Sequence, residues 1–121
     1  MNKSQALHRF FSSFAWPAYD ENTVPTNAEL PYIAYEMATD KIGSPVVLSA
    51  SLYDRSTSWI NVSSKADEIA EFLGYGGVTI PFDNGIIWVT QGSPFAQRMA
   101  DDDDTIRRII LNFAVEFLSA A

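Results

Sequence analysis

The alternation of apolar and polar positions is strongest toward the C-terminal end. In residues 106–118, Ile109, Leu111, Phe113, Val115 and Phe117 alternate with the mixed set Arg108, Ile110, Asn112, Ala114 and Glu116. A side-chain period of two predicts a strand with one face buried and the other half covered. Helical spacing fits worse, because Arg108, Asn112 and Glu116 would form a polar stripe with apolar residues on every other side. At about 3.3 Å per residue the stretch spans roughly 40 Å, long for a strand in a small domain.

The rest of the chain is arranged around that strand. Leu7, Phe10, Phe11 and Phe14 follow helical spacing and predict a helix over 3–15, capped by Asn2 or Ser4 and ended before Pro17. Residues 16–30 read as a polar connection anchored by Trp16 and Tyr19. Strands are predicted at 31–38 and 46–54, joined by turn chemistry at 41–45 into an antiparallel hairpin. A second helix is predicted over 64–73, with Ser64 and Asp67 at capping-box spacing and Gly74 as its stop. Asp83-Asn84-Gly85 predicts a hairpin over 78–91 with an Asn-Gly type I′ turn, and Pro81 makes its first arm an edge strand. Residues 92–105 show no period and read as a long connection. The expected fold class is therefore α+β: a mostly antiparallel four- to five-stranded sheet with two helices packed on one face, in a single domain spanning 1–121.

Composition narrows the function. The chain has 121 residues, 47% of them hydrophobic, enough for one real core. Its net charge of −7, from 8 basic against 15 acidic residues, argues against a ligand held by phosphate contacts. An acidic surface does let DNA pass without sticking. There is no cysteine, so neither disulfide nor thiolate chemistry is available. No signal peptide is expected from the first residues, and no apolar run is long enough to cross a membrane, so a cytoplasmic origin is expected.

Candidate chemistry is sparse. His8 is the single histidine, and no second one completes a metal site. Asp54, Ser56 and Ser58 invite a nucleophile reading, but His8 is remote in sequence, and a strand end leading into a helix fits better. The glycines at 74, 76 and 77 follow a helix instead of opening one and lack a lysine, so they make no phosphate loop. Asp101, Asp102, Asp103 and Asp104 could attract a hard cation, which would permit a small metal-dependent hydrolase. The run lacks the central glycine and distal Glu of a calcium-hand loop, and a solvated acidic loop fits it better. No catalytic residue, cofactor or metal ligand is assigned.

Several segments together resemble a known group. Leu30-Pro31-Tyr32-Ile33, the run from Ser51-Leu52-Tyr53-Asp54-Arg55 through Ser58-Trp59, Lys65-Ala66-Asp67, Gly92-Ser93-Pro94-Phe95-Ala96-Gln97 and the closing strand with Phe113 and Glu116-Phe117 are similar to head–tail morphogenesis proteins of long-tailed phages and prophages. Within these, the chain resembles the tail-terminator, tail-completion or minor capsid group over about residues 30–118. The resemblance implies a non-enzymatic virion protein made in the bacterial host cytoplasm. It implies a homo-oligomeric ring, of six copies, that caps the tail-tube protein and presents a docking face to the head connector protein, while DNA passes without specific binding. A head-side connector or stopper is the alternative, and a monomeric binding module a more distant one. The candidate contact residues are Arg55, Trp59, Phe95, Met99, Asp101, Asp102, Asp103, Asp104, Arg107 and Arg108, since Trp and Arg are common interface anchors. Trp59 serves equally well as a core residue. The mixed face of the last strand is expected to meet a neighbouring subunit.

Overall fold

The computed structural model describes residues 1–119. Helix α1 (Lys3–Phe11) continues as a short 3-10 turn over Ser12–Phe14 and stops at Ala15, whose φ of 68° is left-handed. Asn2 caps α1, with the Asn2 side chain and the Gln5 side chain each accepting from the other's backbone N–H, a reciprocal capping box. Strands β1 (Ala18–Asp20), β2 (Tyr32–Tyr35) and β3 (Val46–Arg55) precede helix α2 (Ile60–Leu73). Strands β4 (Val78–Phe82), β5 (Gly85–Met99) and β6 (Ile106–Ser119) follow it.

The six strands form one sheet in the order β1-β2-β3-β6-β5-β4. The expected four to five strands in a mostly antiparallel sheet are thereby corrected. The sheet is mixed, because β1 runs parallel to β2 and adds a strand at one edge. β1 lies within the expected polar connection over 16–30 because three residues beside Pro17 are too few to show a period. The chain remains α+β. Phe10 meets Phe113 and Phe72, and Phe11 stacks on Tyr35, so both helices lie on the same side of the sheet.

β6 sits at the centre, paired antiparallel with β3 from Val46↔Val115 to Arg55↔Ile106 and with β5 from Gly85↔Ser119 to Met99↔Arg108. Its odd positions from Ile109 to Phe117 are buried and its even positions half-buried. The inner face thus carries Ile33, Leu48, Leu52, Ile87, Val89 and the β6 set, closed over by Leu7, Phe11, Val62, Ile69 and Leu73 of the helices. At about 25 cal/mol per Å² of buried apolar surface, this layer supplies the main stabilisation.

Three further expectations are corrected. The stretch 92–99 is strand instead of connection: a register shift between Gln91 and Ala96 breaks the alternation, and pairing with β6 then resumes to Met99. α2 begins at Ile60, not Ser64. No side chain caps it at Trp59; instead the Ser58 hydroxyl accepts from Ile60 N at 3.1 Å. The hairpin turn between β4 and β5 pairs Phe82 with Gly85, so its two turn residues are Asp83 and Asn84. Neither they nor Gly85 has positive φ, which excludes type I′. Gly77 does require its glycine: φ is 78°, and an added Cβ would lie 2.4 Å from the Val89 carbonyl oxygen.

Candidate functional site

Most of the candidate residues gather at one end of the sheet, where β3 ends, β6 begins, β5 ends and α2 starts. The Ser56 hydroxyl accepts from Ser58 N at 2.9 Å, and that of Ser58 from Ile60 N, so these serines build the entry to α2. This fixes Trp59, which is half-buried and packed against the core. Two guanidiniums lie over its ring, Arg98 at 4.7 Å and Arg107 at 5.4 Å from the centroid. Arg107 donates to the carbonyls of Thr57 (2.9 Å) and Asp104 (3.0 Å), tying the start of β6 to the loop before α2.

The aspartate run is exposed and organised by its own backbone. Asp101 Oδ1 accepts from Asp103 N, and Asp103 Oδ1 accepts from Thr105 N at 2.8 Å and Thr105 Oγ1 at 2.7 Å. Those Thr105 bonds, with Arg55 nearby, hold the Asp103 carboxyl below its ordinary value of 3.8. Arg55 reaches Asp103 at 3.7 Å and Thr105 Oγ1 at 3.0 Å. Among the described residues, no group of three or more His, Asp or Glu is placed to hold a metal ion.

Arg108 points to the other side of the sheet. Its guanidinium lies across the surface, donating to Ser51 Oγ from Nε and Nη2 at 3.1 and 3.0 Å and covering the Tyr53 ring at 5.3 Å. Met99 is its cross-strand partner on β5, and Tyr53 its partner on β3. Tyr53, Tyr32 and Tyr19 form a chain of ring contacts across β3, β2 and β1. Beside them lies a groove of about 630 Å³, lined by Glu29, Leu30, Tyr32, Tyr53, Arg55 and Asp101 among others. Burial raises the Tyr32 phenol above its ordinary value, assisted by the charges of Tyr53, Asp101 and Tyr19.

Phe95 is placed apart from this group. It sits in the β5 irregularity and meets the Phe113 ring edge-on at 5.5 Å, against the core. Two residues not named among the candidate contact residues belong to the site. Arg98 completes the stack on Trp59. Asp54, buried at 6% exposure, is the cross-strand partner of Arg107; its Oδ2 and the Arg107 Nε are both buried without a hydrogen-bond partner. Parity along β3 signals Asp54 in advance, since it follows Leu48, Ala50 and Leu52 at alternate positions. The arrangement is one of planar cations, aromatic rings and exposed carboxylates, a chemistry of surface recognition.

The sequence matches no protein-family model and no curated protein. A solved chain described as "Virion of native gene transfer agent (GTA) particle" superposes with a TM-score of 0.70 at 17% identity, over 96% of this chain and 94% of that one. At that identity the likeness shows a shared fold from end to end.

Proposed function

We propose that this chain is a non-enzymatic structural protein of a phage-like particle. The carrying observation is the likeness over nearly the full length of both chains to a chain of a gene transfer agent virion. That likeness supports a fold shared with a chain of an assembled particle. Its place is the virion, among other virion proteins.

The finer reading is a tail terminator: a ring of copies, six in number, that closes the tail tube and joins it to the head connector. It rests on the sequence resemblance and is supported by the end of the sheet just described. There Arg55, Arg98, Arg107 and Arg108, four of the eight Lys and Arg side chains of a strongly acidic chain, collect with Trp59 beside an exposed aspartate loop. Opposed charge patches of this kind orient and register partners. The acidic balance elsewhere suits a passage through which DNA slides.

Electron microscopy of particles lacking the gene tests both levels. Tails of uncontrolled length are the expected result. Normal tails with unjoined or leaking heads would move the protein to the head side, as a connector or stopper. Normal, joined, infectious particles would remove it from assembly altogether.

A further inference from the structure

The open face of the sheet has the composition of a contact. Both helices cover the inner face, and among the described residues no helix lies on the outer one. The side chains there include Tyr32, Tyr53, Trp88, Ile86, Met99 and Arg108. Trp88 is 41% exposed, Ile86 and Met99 37%, and Val47 on the same face 71%. The chain holds 15 acidic residues, yet the outward strand positions carry Glu116 alone. Aromatic, Met and Arg enrichment with loss of acids is the signature of interface cores. Six strands about 4.8 Å apart, averaging roughly 28 Å long, give a face of about 800 Å² in projection. That leaves room for a helix about 21 Å long and roughly 10 Å across, the dimensions of α2.

A complementary surface exists on the far side of the same molecule. The outer side of α2 presents Asp67, Glu68 and Glu71 together with Ile60 at 73% exposure; Tyr75 follows the helix at 109%, and Phe72, whose ring also meets Phe10 and Phe14, is 54% exposed at its margin. Acids and partly exposed apolar groups there oppose Arg108 and partly exposed apolar groups on the sheet. The two surfaces lie on opposite layers of one domain, so α2 cannot cover its own sheet face. A second copy can.

We propose that the open sheet face of each copy receives the outer side of α2 from the next copy, head to tail. Two different patches in contact make a heterologous joint, which closes into a ring when the rotation per step allows it. The proposal supplies the joint for the ring reading above and rests on it.

The absence of cysteine makes the test direct. Thr90→Cys places one thiol on the open face, and Ser64→Cys one on the outer side of α2. A one-to-one mixture treated with a short bis-maleimide is expected to give covalent dimers containing both variants, while neither variant alone gives any. In parallel, hydroxyl-radical labelling of the assembled protein against the dilute monomer is expected to slow oxidation several-fold at Trp88 and Met99 and at Phe72 and Tyr75 together. Dimers from Thr90→Cys alone, with only the sheet face protected, would mean a face-to-face pair and overturn the proposal. An oligomer lacking both the mixed cross-link and the joint protection would also overturn it while leaving the ring standing. A chain that stays monomeric at high concentration and on the tail tube would overturn the ring reading itself, and this joint with it.

Discussion

The two faces of one strand behave as different materials. On β6, Phe113 is 1% exposed and meets the rings of Phe10, Phe11 and Phe95. Its neighbour Asn112 faces the other way, accepting from Ser49 Oγ at 2.8 Å and donating to the Pro94 carbonyl at 2.9 Å. The inner face holds the domain together by dense apolar contact. The outer face is ordered by individual polar bonds and stays available. Dense packing is thus confined to one side, which frees the outer residues from its demands.

The sharpest way to break this division is to cut a large side chain on each side. Phe113→Ala is expected to lose about 3–5 kcal/mol of unfolding free energy, read by urea denaturation, because it removes a fully enclosed ring. Asn112→Ala, one residue away, is expected to lose only about 1 kcal/mol, the net worth of its hydrogen bonds. Equal losses from the two would mean that the outer face is also core.

Arg108→Glu sharpens the comparison from the side of assembly. It removes the Ser51 bonds and the Tyr53 contact, at a cost of about 1–2 kcal/mol to the monomer. It also places a second carboxylate beside those of an acidic neighbour. Sedimentation is expected to show a folded monomer that no longer assembles. A destabilised monomer within an intact ring would show that the faces have been assigned the wrong way round.

The smallest expected effect concerns acid. The Asp103 carboxyl titrates below its ordinary value because Thr105 donates to it twice. A carboxyl lowered in the fold stabilises above its unfolded value of 3.8 and loses that contribution as pH falls through the lower folded value. Thr105→Val is therefore expected to be slightly less stable than the parent at neutral pH, with the gap closing below about pH 4. A gap that stays constant down to strong acid would separate Thr105 from that carboxyl.

Much of the fold was legible because its elements are long and periodic. β6, α1 with its Asn2 cap, the stop at Gly74 and the edge position of β4 all follow from spacing and from the properties of Gly and Pro. β1 was not, because three residues carry no period. β5 beyond Gln91 was not, because its irregularity resets the alternation partway along. The start of α2 was hidden because its entry is built by hydroxyls at Ser56 and Ser58, before the helix, and not by a cap at Ser64. The candidate residues were chosen by type, and folding brought Arg55, Trp59, Arg107 and the aspartate run to one end. The pairing of Asp54 with Arg107 and the stacking of Arg98 on Trp59 could not be read in advance, because they depend on cross-strand register and on how the strand ends meet α2.

The pairing around β6 also sets how the domain carries load. β3 and β5 lie antiparallel against β6 over nearly their whole lengths. A pull along the strands is shared by every bond in both ladders at once, whereas a pull across the sheet opens the bonds one after another. The weak margin is β1, three residues long and joined to β2 alone. A domain built this way is stiff along β6 and yields first at its β1 edge.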